Sequence, residues 1–356
     1  MRLHLTNIHG LGATVLVESL LPALIEIGGD EIEEIYVSEG SRWERLLPVQ
    51  DGRMSVYRRY AFKPASRLVE VLFRSGRFGG SGPIIVLGDI PIRGLSRQLV
   101  FVHTPFIIDD TADLGILLRL KFGIQRAVFR LNLGSASRLV VQTHHMAEGL
   151  VRRYGVDENK VTVLPQPVPG WLQGVGHSPR RPGEVDLQSG LRLFYPARAY
   201  RHKNHALLGK IDTKRVPSNF IQEIILTIPS SVNPNSAFSP LRCVGEIPHD
   251  QVRKMYERTH ALLFPSLSES YGLPLVEAMY LGLPIVCSDL PYARELCGDE
   301  AFYFDPEKPS SLMAALSRLR DALERGWTPS WKQQLRHTPT NWHDLALRLL
   351  SIARTV

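Results

Sequence analysis

Cysteine is scarce in this chain. Cys243, Cys287 and Cys297 are the only three in 356 residues. An odd number without metal-ligand spacing excludes a disulfide framework and suits a reducing compartment. Long apolar runs are lacking as well, because Glu, Pro or Gly cuts each one well before the about 20 residues needed to span a bilayer. In the opening MRLHLTNIHGLGATVLVESL, His4, Asn7, His9 and Glu18 interrupt any signal-like core, so a mature cytoplasmic start is expected. Nothing repeats at a fixed period, which excludes a solenoid. Groove-reading motifs and aromatic–basic interleaving are missing too, so nucleic acid is the weakest partner for the net charge of +7.

What is present is ordinary globular material, 44% apolar and 22% charged, in a chain long enough for two domains. The first half alternates near-continuous hydrophobic runs with amphipathic ones. LHLTNI, EEIYVS, GPIIVLGD, QLVFVHT and RLVVQT read as strands, and VLVESLLPALIEI and HHMAEGLVRRYG as helices. That pattern predicts a parallel sheet covered on both faces. A Pro- and Gly-dense stretch follows, and then a second alternation: LRLFY, FIQEIILTI, LRCVG, ALLFP, PIVCS and AFYF as strands, with DQVRKMYERTH, LPLVEAMYLG and a run from Ser311 as helices. The economical architecture is α/β, two doubly wound Rossmann-like domains facing across a cleft. Domains are expected at 1–168 and 169–338 with a linker about 169–190, and a helix within 339–356 that crosses back onto the first domain.

Ligands of such sheets bind at the carboxyl ends of the strands, so the loops after strands are the places to search. HGLGAT follows the first strand. Gly10 and Gly12 permit close backbone approach, and the next helix offers N–H groups to an anion, although a tight turn explains the glycines equally well. His103 ends QLVFVHT; a lone histidine there is a ligand contact or a hydrogen-bonded structural residue. In FYPARAYRHKNH, Arg198 and Lys203 lie five apart just after a strand, where two cations suit a diphosphate and an exposed basic loop is the plain alternative.

The fourth loop, SLSESYGLPLVEAM, places Glu269 before a helix and Glu277 about one turn into it, with Pro274 suited to the first turn. The N–H groups around Tyr271, Gly272 and Leu273 could hold a phosphate. Eight residues apart on one helix, the two carboxylates would be separated by about 12 Å of rise. They do not fit the close pair of a retaining glycosidase and suit separate hydroxyls of one polyhydroxylated ligand. Asp109, Asp110 and Asp113 lack D-x-D spacing, and His144 and His145 point in different directions on a helix, so neither group predicts a metal site.

ESYGLPLVEAM resembles the E-x7-E motif of retaining, sugar-nucleotide-dependent glycosyltransferases with the GT-B fold, in the bacterial group that contains sucrose-phosphate synthases and polysaccharide mannosyltransferases. VGEI, GLPIVCSDLPYARELCGDEAFYFDP, the R-x4-K pair Arg198 and Lys203, HTP around His103, VVQT at 140–143 and VTVLPQPV at 161–168 resemble family segments in the same order. The resemblance implies that Glu269 holds the transferred sugar and that His103 lies near it. Arg198 and Lys203 would hold the diphosphate, aided by main-chain N–H groups at Gly12 and at Ser270, Tyr271, Gly272 and Leu273. Glu277 would grip the ribose, and Val244, Gly245 and Ile247 would border the base. No metal or cofactor is implied. Two departures stand out: Ala197 precedes Arg198 where the family has glycine, and the first loop reads GLGAT.

The implied function is transfer of a hexose from a nucleotide-diphosphate sugar, GDP-mannose before UDP-sugars, to a glycan or lipid-linked glycan in bacterial surface polysaccharide assembly. A same-fold epimerase or phosphorylase, or a non-catalytic nucleotide-sugar or glycan-binding protein, is the alternative. Arg42 to Arg138 holds 16 Lys/Arg against 7 Asp/Glu. Within it, LLRLKFGIQRAVFRLNLG interleaves Arg119, Lys121, Arg126 and Arg130 with apolar residues, and YRRYAFKPASRLVEVLFRSGRF adds a second cluster. This is either an amphipathic helix with a solvated basic face or a peripheral surface for an anionic membrane at the inner face of the cell.

Overall fold

The computed structural model describes residues 1–8, 11–46, 52–59, 63–109, 114–173 and 187–356. His9 and Gly10 of the first loop, residues 60–62 of the second basic cluster, Asp110 and Asp113 of the acidic stretch, and 174–186 of the Pro- and Gly-dense segment lie outside them. The chain divides into two compact units, Met1–Pro167 with Pro339–Val356, and Val168–Thr338.

The first unit holds strands β1 (Arg2–His4), β2 (Glu34–Ser38), β3 (Met54–Tyr57), β4 (Ile84–Val86), β5 (Gln98–Phe101), β6 (Ala136–Val141) and β7 (Val161–Val163). Their order is β3-β2-β1-β4-β5-β6-β7, and every pairing is parallel. Five helices of the unit are α1 (Leu11–Gly28), α2 (Arg42–Leu46), α3 (Lys63–Phe73), α4 (Ile116–Asn132) and α5 (His144–Tyr154). Alternation along β1 decides which face each residue serves. Leu3 and Leu5 join one core layer with Leu16, Leu20 and Leu24 of α1. His4 faces the other layer, where it packs edge-on against Phe78 and meets Glu70 of α3 at 3.0 Å.

The second unit holds β8 (Leu191–Tyr195), β9 (Ile221–Leu226), β10 (Leu241–Cys243), β11 (Ala261–Phe264), β12 (Ile285–Ser288) and β13 (Phe302–Phe304). Again all pairings are parallel, in the order β10-β9-β8-β11-β12-β13. Its helices are α6 (Ala206–Gly209), α7 (His249–Arg258), α8 (Leu273–Tyr280), α9 (Pro291–Cys297), α10 (Pro309–Glu324) and α11 (Lys332–Leu335). In each sheet the winding reverses beside the first strand, between β1 and β4 and between β8 and β11. Doubly wound sheets bind ligands at the carboxyl ends of the strands at that reversal.

Three local differences from the sequence reading have simple causes. Strands β3 and β7 were not foreseen because both are partly exposed edge strands with a weak apolar signal. Helix α1 begins at Leu11 rather than Val15, so Gly12 stands in a first helical turn and not in a loop. The stretch Gly12–Glu31 has the length and composition of a membrane-crossing helix. Here Leu16, Val17, Leu20 and Leu24 are buried in the core of the first unit.

The last helix, α12 (Trp342–Arg354), completes that unit by packing on α1, with Leu345, Ala346, Leu349 and Leu350 fully buried. Its start is fixed by Asn341, whose side chain accepts from the Asp344 amide at 2.8 Å. Leu349→Ala is expected to cost about 2–5 kcal/mol, read as a lower urea midpoint. A midpoint unchanged from the parent chain would mean that α12 contributes little to the core.

Candidate active site

The richest group of polar side chains in the second unit lies at the winding reversal. Strand β11 is apolar and wholly buried, and it ends at Phe264. The loop that follows turns into α8 through Gly272, whose φ of 89° favours glycine; a Cβ there would stand 3.1 Å from Leu275 Cδ1. No side chain caps α8, and Pro274 brings no N–H to its first turn. The amides of Gly272 and Leu273 therefore stand at an uncapped helix start, which is suited to an anion. Tyr271 turns its ring into a small apolar cluster with Val168, Leu172 and Val276, so it offers a ligand its main chain.

The loop after β8 is tied to the loop after β11. Leu267 N donates to the His202 carbonyl at 2.7 Å, and Tyr195 Oη donates to the Lys203 carbonyl at 2.8 Å. Lys203 Nζ donates to Glu269 Oε1, and both side chains are largely buried. Two histidines flank this lysine. Burial, then the Lys203 charge, pushes His202 and His205 down to about 4, so both are neutral near pH 7 and leave the positive charge on Lys203.

Arg198 reaches sideways to the loop after β10. Its Nη2 donates to Glu246 Oε2 at 3.0 Å and its Nε lies 2.9 Å from Oε1. Glu246 sits between Gly245 and Ile247. The loop is pinned by the Val244 amide on the Leu226 carbonyl at 2.9 Å and the Gly245 amide on the Ile228 carbonyl at 3.0 Å. Val244 and Ile247 pack against the core of the unit. The sequence reading missed Glu246, since nothing local marks it. Its role appears only when the sheet order brings the loops after β8 and β10 to one edge.

Glu277 is five residues into α8 and buried, with Tyr256 Oη of α7 donating to its Oε2 at 2.8 Å. Tyr256 is the second residue that the sequence did not reveal. In the first unit, His103 follows β5 and is held through its main chain. Asp89 Oδ1 accepts from the amides of His103 at 2.7 Å and Thr104 at 3.0 Å, and Oδ2 accepts from Thr104 Oγ1 at 2.6 Å. Asp89 itself adopts φ 66°, uncommon outside glycine. Both ring nitrogens of His103 are buried without a hydrogen-bond partner among the described residues. Gly12 lies at the carboxyl-end side of β1 with open space where a Cβ would stand.

Two groups set aside in the sequence meet each other. Asp109 Oδ1 is 3.3 Å from His145 Nε2. Among the described residues no three His, Cys, Asp or Glu side chains gather as a metal ligand set.

Burial raises the Glu277 carboxyl from its ordinary 4.5 to about 7. The folded chain thus keeps this proton to about pH 7, and the unfolded chain gives it up near 4.5. Between those values the folded state binds more protons, so stability falls as pH rises. Glu277→Gln is expected to flatten that slope, a difference on the order of 3 kcal/mol across the window. Urea unfolding at the two ends of the window measures it, and an unaltered slope would assign the pH dependence to another group.

Residues 241–324, which include both Glu269 and Glu277, match the family described as glycosyl transferases group 1. The chain is 22% identical over 247 residues to the O-antigen chain mannosyltransferase RfbU of Salmonella typhimurium, covering 65% of this chain and 64% of that protein. It is 34% identical over 88 residues to the serotype-specific mannosyltransferase WbdA of Escherichia coli, covering 22% of this chain and 11% of that one. The matches thus span less than two thirds of the length of these relatives. The Anabaena protein HepE, solved with UDP and glucose, superposes with a TM-score of 0.63 at 11% identity, covering 100% of this chain and 99% of that one. Two parallel-sheet α/β domains give the chain the GT-B fold of these structural neighbours, and its residues 241–324 match the group 1 glycosyl transferases.

Proposed function

We propose that this chain is a retaining glycosyltransferase that moves a hexose from a nucleotide-diphosphate sugar to a glycan or lipid-linked glycan in bacterial surface polysaccharide assembly. GDP-mannose is the favoured donor, supported by the mannosyltransferase names of its relatives. A UDP-sugar is the second reading, supported by the fold neighbour solved with UDP and glucose.

The observation that carries the reading is the gathering of Arg198, Lys203, Glu269 and the N-terminus of α8 at one winding reversal, with Glu277 a turn beyond. Cleavage of the anomeric C–O bond leaves negative charge on the departing diphosphate. Two cations and an uncapped helix end suit that charge, each fixed donor contributing about 3 kcal/mol to lowering the barrier, so the reading needs no metal. Arg198 and Lys203 would exchange Glu246 and Glu269 for phosphate oxygens, joined by the main chain at Ser270, Tyr271, Gly272 and Leu273.

Glu269 would then accept from hydroxyls of the transferred sugar, and Glu277 would accept from the ribose. Val244, Gly245 and Ile247 would border the base. In the first unit Gly12 is assigned to the diphosphate and His103 to the reacting sugar; its buried ring, with Nε2 3.6 Å from Asp89 Oδ2 and neither nitrogen hydrogen-bonded among the described residues, supports the latter. The acceptor hydroxyl would attack the face from which the diphosphate leaves, which retains the anomeric configuration. Holding donor and acceptor together supplies the orientation term.

Calorimetric titration with GDP and with UDP, without added metal, tests the donor. GDP is expected to bind more tightly, Lys203→Ala to abolish binding, and Arg198→Ala to weaken it roughly tenfold or more. Tighter binding of UDP would move the donor to the second reading. Binding of neither nucleotide, or equal binding by Lys203→Ala, would remove the diphosphate role.

A further inference from the structure

Two arginines of the second basic cluster are drawn into the first unit instead of standing in water. Arg59 follows β3 with its side chain only 10% exposed. Arg67 is half-buried on α3, next to the buried Ser66. Arg59 meets Asn7 in the loop after β1, beside the winding reversal of this sheet. Doubly wound sheets take their ligands at that edge.

Among the described residues, one carboxylate serves this cluster. Glu70 of α3 is wholly buried, 3.0 Å from His4 Nε2, and accepts from Thr6 Oγ1 and from Asn7 Nδ2 at 3.3 Å. Burial pushes its carboxyl up, but the contacts with His4 and Thr6 and the Arg59 charge outweigh that and hold it below the ordinary value. Glu70 is therefore ionised. Arg59 Nη2 lies 3.3 Å from Glu70 Oε2 and also donates to the Thr6 carbonyl and, at 2.9 Å, to Asn7 Oδ1. One guanidinium nitrogen thus serves three acceptors. The other, Nη1, is buried with no hydrogen-bond partner among the described residues, and so is Ser66 Oγ. Burial, followed by the Arg59 charge, lowers the Arg67 guanidinium to about 10. Two guanidiniums repel each other in a site partly closed to water, where a single carboxylate answers both. Such a surplus of buried cation costs stability unless an anion arrives.

We propose that Arg59, Arg67 and Ser66 form an oxyanion site that holds a phosphoryl group carried by the acceptor. Arg59 Nη1, the Ser66 hydroxyl and the Arg67 guanidinium bring donors from three residues. That suits the three or more oxygens of a phosphoryl group better than the two of a carboxylate. Its place in the sheet agrees. A Cβ on Gly88 would stand 2.8 Å from Asn7 Cβ, so the loop after β1 lies directly against the loop after β4. The next residue, Asp89, holds the amides of His103 and Thr104. The oxyanion site and His103 therefore share one edge of the first unit. That the phosphoryl group belongs to an acceptor rests on the glycosyltransferase reading; the anion chemistry of the site does not.

Inorganic phosphate, mannose 6-phosphate and geranyl diphosphate, titrated calorimetrically into the full chain carrying Lys203→Ala, test the site with a donor-site cation removed from competition. All three are expected to bind, and adding Arg67→Gln should weaken each roughly tenfold or more. Tighter binding of mannose 6-phosphate supports a phosphorylated glycan as the carrier, and tighter binding of geranyl diphosphate supports a lipid carrier. Ser66→Ala deletes a buried hydroxyl that has no protein partner. It should weaken phosphate while leaving the urea midpoint of the phosphate-free chain no lower than before. If Arg67→Gln fails to fold, Ser66→Ala gives the same readout. The inference is overturned if none of the three probes binds, or if they bind equally with and without these substitutions. It is also overturned if Arg67→Gln alone abolishes GDP binding, since the arginine would then serve the donor. Failure of GDP to bind the parent chain, with phosphate still lost on Arg67→Gln, would refute the donor reading and leave the oxyanion site standing.

Discussion

A sheet whose strands all run one way sends every strand's carboxyl end to the same edge, and each return path must cross over the sheet, here mostly through a helix. This constraint organises both units. It explains why central strands such as β4 and β11 are apolar throughout, since helices cover both faces. It also explains why residues far apart in the chain become neighbours: Arg198 and Glu246 meet because β8 and β10 end on one edge with β9 between them. The winding reversal then leaves a gap between the loops after β8 and β11, and Lys203 and Glu269 come from those loops.

Charge at that edge is arranged by burial as much as by sequence. Lys203 and Glu269 are held against each other, and the histidines on either side of Lys203 are kept neutral. Glu277 differs, since it has a phenol for a partner and no cation, so desolvation dominates its protonation. Two carboxylates eight residues apart in sequence thus have different electrostatic surroundings. One is steadied as a carboxylate by an opposite charge, and the other is pushed toward its protonated form by exclusion of water.

Much of this was legible in the residues. Runs such as IIV, LVF and ALLF marked interior strands because burial on both faces leaves no polar residue to interrupt them. MSVY and VTV did not, because an edge strand is half exposed and its pattern is diluted. Glu269, Glu277, Arg198 and Lys203 stood out as charges beside strand ends. Asp89, Glu246 and Tyr256 did not, since each works on a residue brought to it by topology. The start of α1 was misplaced by four residues, because a glycine in GLGAT is as much at home in a first helical turn as in a loop. No sequence rule showed that α4 would bury one apolar face and leave the other outside; that depends on which neighbours the fold supplies.

The closure of the first unit by α12 has a consequence for the order of events during synthesis. Residues Val168–Thr338 of the second unit emerge from the ribosome between the two parts of the first. At ordinary elongation rates that interval is on the order of ten to thirty seconds. Throughout it α1 lacks the helix that covers part of its apolar surface. Nascent chains therefore carry a long, very apolar helix with part of its surface uncovered while the second unit emerges. The first unit can be completed only after the whole of the second has emerged.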